Sequence, residues 1–412
     1  MNFNSAPKFL GDKFPCLTAE LPGTGGFIKQ RCEDFIVEEQ PLYKPSGEGT
    51  HLYFEVRKEG LSTLQAVKII ARSLDVKRSD IGFAGNKDSQ AVTRQIMSVE
   101  HLESEEMRKI DHSRLQIKPL AFHKNKLRTG HLSSNRFEVK IRNPEPGSEK
   151  VATEILEILA NRGVPNYYGN QRFGRRADSA KLGEALVKNR LKEFVRLYLG
   201  CPSDNDPSPV YKARCAFERG DYDAAFKYWP KNYTNRRNAL AAYVRSGTPG
   251  PVLTAIPKRQ RRLFVSAFQS LVFNLILAER MPDIDKLYAG DIARKEDSGG
   301  IFRVDDPGVE QPRVGNFEIS PTGPVFGSKC WIAEGKQGEI ERKHLARFEI
   351  EPERIKKVGS LRLNGTRRSL RFEIKEATLD SGADEHGKYL QVSFTAPPGS
   401  YATLVLREII KF

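Results

Sequence analysis

A lysine–aspartate pair stands out first. It closes the segment Phe83-Ala84-Gly85-Asn86-Lys87-Asp88, between a short apolar run at 81–84 and an alternating run at 91–99 with Val92, Ile96 and Val99. An ammonium beside a carboxylate favours its charged form, the form a carboxylate needs to attack as a nucleophile. Gly-Asn-Lys-Asp is also ordinary turn chemistry, so the segment alone leaves both readings open. Rival signatures are missing. There is no Gly-x-x-x-x-Gly-Lys-Ser/Thr phosphate loop, and Gly23-Thr24-Gly25-Gly26 lacks the spacing of a dinucleotide site. Neither a Gly-x-Ser-x-Gly elbow nor a His-Glu-x-x-His helix occurs. The five cysteines (Cys16, Cys32, Cys201, Cys215, Cys330) are odd in number and widely spaced, with no Cys-x-x-Cys pair. They indicate neither a disulfide framework nor a zinc site, and no metal is expected.

Charge supplies the partner class. Lys and Arg number 67 against 52 Asp and Glu, a net +15, which favours polyanions through counterion release. A basic total can also serve solubility alone. Basic residues cluster at Arg172, Arg175 and Arg176, at Lys258-Arg259-Gln260-Arg261-Arg262, and at Arg367, Arg368 and Arg371. Tyr167, Tyr168 and Phe173 interleave with the first cluster, and rings beside guanidinium groups suit stacking on splayed bases. The 258–262 run reads equally well as a solvated helix face or an RNA contact. No apolar run approaches the roughly 18 residues of a membrane span. The segment from Met1 to Phe14 carries Lys8 and Lys13 without an apolar core between them, so a cytoplasmic protein is expected.

The elements around the Lys87-Asp88 turn follow from periodicity. Phe35 and Val37, then Leu52, Phe54 and Val56, alternate as in half-buried strands, with a Pro/Gly-rich loop at 41–49 between them. Thr63 offers an N-cap for a helix with Leu64, Val67, Ala71 and Leu74 on its apolar face. Segments 115–120 and 137–141 read as strands joined by the basic loop His123–Arg128. A helix with Val151, Ile155, Ile158 and Leu159 on its buried face ends at Gly163 and Pro165. Residues 166–174 then form a polar, aromatic loop with two glycines, of the kind that carries function. After Arg176 the text is helical, with a stripe Phe264, Ala267, Phe268, Leu271, Val272, Leu275 that reads as core; from Tyr288 short strands are expected. Strand candidates at 370–374, 389–394 and 403–409 restore the earlier alternation. A domain interrupted by another is implied, and 412 residues suggest about two or three domains.

The segment Gly85-Asn86-Lys87-Asp88-Ser89-Gln90-Ala91-Val92-Thr93-Arg94-Gln95 resembles the Gly-x-Lys-Asp-x-x-Ala-x-Thr-x-Gln signature of the TruD pseudouridine synthases. Companions follow in order: 26–29 with 33–39, 127–131 with Asn135-Arg136-Phe137, 166–174, 267–274, 321–327 and 398–408. The resemblance runs from about residue 23 to the C-terminus. It implies isomerisation of a uridine in RNA to pseudouridine, chiefly uridine 13 of tRNA, without a cofactor. It implies an α/β (α+β) fold: a pseudouridine-synthase domain with a mixed, largely antiparallel sheet at 1–177 and 356–412. An insertion at 178–355 would be helical first and β-rich second. It assigns Asp88 as nucleophile, Lys29 and Lys87 as basic neighbours, Phe137 as the ring packing on an extruded uracil, and Asn135 as a polar partner. Asn166, Gln171, Arg172, Phe173 and Arg175 would shape the pocket or hold phosphates. A monomer acting on tRNA, away from membranes, is expected.

Plainer roles exist for the same side chains. Phe137 in an alternating strand is by default a core ring, Asn135 a turn residue and Lys29 a solvated strand lysine. Arg407 and Glu408 could form a simple salt bridge. A non-catalytic RNA-binding protein or chaperone is the rival class, against which the intact Lys87-Asp88, Asn135 and Phe137 speak. An RNA methyltransferase would need a nucleotide-cofactor glycine loop, which is missing.

Overall fold

Alternation in the N-terminal part and helical spacing in the middle produce a mixed α/β chain of two compact units. The computed structural model describes residues 14–355 and 357–411. The reading of the N-terminal segment concerns residues 1–13, outside the described residues. One unit comprises Cys16–Val164 and the chain from Phe372 onward; the other holds Pro165–Arg371 with Phe14 and Pro15.

The first unit is built on an eight-stranded sheet. Its strands run in the order Lys375–Asp384, Gly387–Ala396, Leu132–Arg142, Phe35–Pro41, Val92–Glu100, His51–Glu59, Leu115–His123, with Gly82–Phe83 attached to Val92–Glu100. Only Phe35–Pro41 and Val92–Glu100 pair in parallel; the other pairs are antiparallel. Leu52, Phe54 and Val56 point into a core with Met97 and Val99, against which the helix Thr63–Ser73 lays Ala66, Val67, Ile70 and Ala71. The expected cap shifts by one residue. Ser62 is the N-cap, closed by a capping box with Gln65, and Leu64 stands exposed. Thr63 is thereby free to turn inward, where its hydroxyl donates to Gln95 Oε1 at 2.9 Å.

Two further helices complete this unit. Glu149–Arg162 ends at Gly163, whose φ of 87° only glycine adopts readily. The expected strand 403–409 is instead the helix Ala402–Ile410. Leu404, Val405, Leu406, Ile409 and Ile410 are all buried there, and a short continuous apolar run cannot be told from a buried helix by period alone. Glu408 accepts from the backbone N–H groups of Leu17 and Thr18, at 2.8 and 3.1 Å, and so ties down the start of the unit rather than forming a simple surface bridge. Arg142, almost fully buried, pairs with Asp34 at 2.5 Å and Asp384 at 2.6 Å.

The second unit gathers helices around Lys258–Arg280, whose stripe Phe264, Ala267, Phe268 and Val272 is core as its spacing predicts. Helix Ser179–Val187 packs on it closely enough that a Cβ at Gly183 would come within 2.0 Å of the Phe264 carbonyl oxygen. By length and composition alone this long helix, taken to Asp283, could cross a membrane, but 61% of its most apolar stretch is buried inside the protein. It meets that description because no side chain between Phe264 and Ala278 is charged, and Gln269, Ser270 and Asn274 in that stretch are each buried and hydrogen-bonded within the unit. Such an interior is that of a core helix. A small sheet runs Thr366–Ser369, Ile319–Val325, Ile292–Lys295, Ile301–Arg303. The part expected to be β-rich also contains the helices Pro307–Gly315 and Gly335–Arg347. Gln337 and Glu341 of the latter are fully buried, where Glu341 pairs with Arg367 at 2.8 Å. That polar inner face conceals the apolar stripe by which a helix is recognised.

Candidate active site

The turn 85–91 leaves the short strand Gly82–Phe83 and enters Val92–Glu100, so both flanks of Asp88 are anchored in the sheet. The turn itself is held by side chains. Thr63 Oγ1 accepts from the Lys87 amide at 2.8 Å, and Gln95 Nε2 donates to the Gly85 carbonyl at 3.3 Å. Lys58, with no exposed surface, donates from Nζ to the Leu61 carbonyl at 2.5 Å and to the Asp88 carbonyl at 2.9 Å. Burial pushes the Lys58 ammonium down to about 8, against the pull of the nearby Asp88.

The Asp88 carboxylate is gripped at one oxygen. Lys29 Nζ donates to Oδ2 at 2.7 Å and lies 4.2 Å from the centre of the Phe35 ring. Oδ1 has no hydrogen-bond partner among the described residues, and the side chain is 37% exposed. A carboxylate so placed keeps one oxygen open to a reactant. Lys29 is not the solvated strand lysine of the plainer reading. Its side chain is only 12% exposed, and its backbone lies outside the strands at a φ of 56°, the left-handed region that non-glycine residues occupy chiefly where surroundings enforce it.

Lys87 does something other than face Asp88. Its ammonium pairs with Glu39 at 2.7 Å and donates to Asn135 Oδ1 at 2.6 Å. Glu39 and Asn135 are direct neighbours across the strands Phe35–Pro41 and Leu132–Arg142, and two residues on along the same face Val37 meets Phe137. Of these two lysines, only Lys29 donates to the Asp88 carboxylate. Phe137 is 8% exposed, stacked on Phe394 with centroids 5.2 Å apart and edge-on to Phe35 at 6.4 Å. Lys29, Lys87, Asp88, Asn135 and Phe137 thus all belong to the first unit.

The remaining candidates lie in the second unit. Asn166 is buried, donating to the Ser369 carbonyl at 2.9 Å and accepting from Arg368. Phe173 is fully buried against Ala180 and Ala267. The Arg172 guanidinium lies 5.0 Å from the Tyr168 ring centre, while Gln171 and Arg175 are exposed. In this loop Gln171, Arg172 and Arg175 have the exposure to meet a ligand; Asn166 and Phe173 hold the loop's shape. Among the described residues no group of three His, Cys, Asp or Glu side chains is placed to hold a metal. Sequence reading missed Lys58 and Thr63 as parts of the site. Lys58 carried a signal, since it continues the inward row Leu52, Phe54, Val56 at period two.

The site thus sets a partly exposed carboxylate on a clamped turn, paired with one largely buried lysine beside a mixed sheet. The family model described as tRNA pseudouridine synthase D (TruD) matches residues 13–409. The chain belongs to the tRNA pseudouridine synthase D (TruD) family. It is 38% identical over 396 residues to the tRNA pseudouridine synthase D of Geobacter metallireducens, covering 96% of this chain and 97% of the relative. That of Anaeromyxobacter sp. is also 38% identical, over 401 residues, with 96% of each chain covered. A crystal structure from Methanosarcina mazei, described as a candidate tRNA pseudouridine synthase D (TruD), superposes with a TM-score of 0.88 over 99% of both chains at 28% identity.

Proposed function

We propose that this chain isomerises uridine to pseudouridine in tRNA, at uridine 13, with Asp88 as the nucleophile. The N1–C1′ glycosidic bond breaks, the freed uracil turns, C5 bonds to C1′, and the proton leaving C5 is balanced by one gained at N1. Nothing is oxidised or reduced, and the reaction runs without a cofactor. Asp88 supplies the electron pair, at C1′ or at C6, and the target base must leave its stack to reach it. Lys29 holds the carboxylate in place, and Asn135 and Phe137 line the sheet face on which the base would rest. Residues 1–177 with 356–412 form the catalytic domain and 178–355 the family's insertion, with Gln171, Arg172 and Arg175 of the catalytic domain contacting phosphates. The enzyme works in the cytoplasm as a monomer, without metal or membrane.

The observation that carries this reading is the Asp88–Lys29 ion pair at 2.7 Å on a turn whose carbonyl is separately fixed by Lys58. Single-turnover conversion of an unmodified tRNA transcript, with pseudouridine mapped by chemical modification and primer extension, tests it. Asp88→Asn is expected to lose detectable conversion while still binding tRNA. Conversion at the wild-type rate would remove Asp88 as nucleophile.

A further inference from the structure

Beside the nucleophile turn lies a second feature that the reaction above does not use. A cleft of about 480 Å³ is lined by Tyr43, Lys44, His123, Asn125, Lys126, Arg128 and His131. Three of its walls are rings in mutual contact. Tyr43 stacks on His123 with centroids 5.1 Å apart and meets His131 edge-on at 5.7 Å. The Tyr43 hydroxyl lies 2.8 Å from His131 Nδ1 and 3.3 Å from the Tyr53 hydroxyl, which donates to the Asn125 carbonyl at 3.0 Å. The backbone amide of Ser46 donates to His123 Nδ1 at 3.2 Å. An amide cannot accept, so the neutral ring carries its proton on Nε2, which has no partner among the described residues. Three cations and no carboxylate line the cleft.

The cleft is also rigidly tied to the catalytic turn. The Gly130 amide donates to the Ala84 carbonyl at 2.8 Å, and the Leu127 amide to Ser98 Oγ at 2.9 Å. Gly82 allows this close approach, since a Cβ there would sit 2.4 Å from the Leu127 carbonyl oxygen. Leu127 and Leu132 pack with Ala84 and Tyr53 in one buried cluster. The loop 123–131 and the turn bearing Asp88 therefore share the short strand Gly82–Phe83 as a common support.

We propose that this cleft is a second RNA subsite, in which the rings of Tyr43 and His123 stack an unpaired nucleotide of the substrate other than the target uridine, and Lys44 and Arg128 hold its phosphates. The chemistry fits a single-stranded nucleotide: flat rings take a base face of any sequence, and exposed cations take the backbone. An apolar small molecule would leave the cations unused, and a free phosphate would leave the rings unused. The inference rests on the reading of the chain as an RNA-modifying enzyme.

Single-turnover kinetics and filter binding with an unmodified tRNA transcript test it. Lys44 and Arg128 are both exposed, so the double variant Lys44→Ala/Arg128→Ala keeps the fold, which a thermal melt verifies. It is expected to raise the half-saturating tRNA concentration at least tenfold, more than it lowers the saturated rate. The slope of log affinity against log salt should shrink by about 1.5, as two phosphate contacts are lost. His123→Ala should weaken binding, and His123→Phe, which keeps a ring, should restore most of it. Wild-type affinity and salt slope in the double variant, or no rescue by phenylalanine, would overturn the subsite. A wild-type protein that neither binds nor converts tRNA would instead overturn the functional reading.

Discussion

Replacing Lys58 by methionine separates stability from activity. The side chains are similar in length, so packing changes little, but the buried ammonium and its two hydrogen bonds go. Two opposing terms set the stability change. The fall of the Lys58 pKa from its ordinary 10.5 to about 8 corresponds to about 3 kcal/mol spent at neutral pH on keeping the charge buried, at ~1.4 kcal/mol per unit. Methionine relieves that. Against it, the carbonyls of Leu61 and Asp88 lose their donor, at about 1–3 kcal/mol each. The terms nearly cancel, and the net change should lie within about 3 kcal/mol of zero. The turn carrying Asp88, however, is no longer fixed at its carbonyl. A displacement of ~1 Å at a reacting group can lower a rate about 100-fold, so single-turnover conversion should fall by at least tenfold while tRNA affinity is kept. Stability should also separate the two proteins as pH rises. Lys58 has a folded pKa below its unfolded one, so below about 8 the wild type carries the full burial penalty. Between about 8 and 10.5 the folded chain is neutral there while the unfolded chain still binds the proton, so wild-type stability should rise relative to Lys58→Met. Thermal melts from pH 7 to 10 measure this. A variant with the wild-type rate would refute the anchoring of Asp88, and parallel stability profiles would refute the buried charge.

Other perturbations act on single links of the same structure. Lys29→Met should lower the single-turnover rate about 100-fold with tRNA binding kept, because only the Asp88 pair and the contact over Phe35 are lost; a loss confined to binding would make Lys29 a phosphate ligand instead. Lys87→Met should destabilise the protein by about 3–5 kcal/mol, since it strands the buried Glu39 carboxylate, and the double variant with Glu39→Gln should recover most of that in thermal melts. Asp34→Ala should cost about 3 kcal/mol, toward the low end for a broken buried pair because Asp384 still holds Arg142; an unchanged melting temperature would show the pair to be dispensable.

The strand pattern of the first unit was legible where apolar residues recur at period two, as Phe35 and Val37, then Leu52, Phe54 and Val56, do on buried positions. Legibility failed where side chains carry no period. The segment 403–409 is apolar almost throughout, and Gly335–Arg347 hides a buried glutamine and glutamate on its inner face. Within the site, sequence neighbours misled: Lys87 adjoins Asp88 in the chain yet turns to Glu39, because successive side chains of an extended turn diverge. Lys29, distant in sequence, supplies the counter-ion through a left-handed kink that no pattern of residue types encodes.

Lys58 shows what such a pattern can encode. A strand that runs Leu52, Phe54, Val56 and then Lys58 on one face asks where a buried ammonium finds oxygen. Apolar neighbours in the sheet cannot answer, so the acceptors must come from backbone just beyond the strand end, where regular pairing stops and carbonyls are unclaimed. Residues 60–62 and the turn before Val92 are the chain segments that reach that end, and they supply Leu61 and Asp88. A lysine at the inward terminus of an otherwise apolar strand row therefore points to the loop it must satisfy, and here that loop carries the proposed nucleophile.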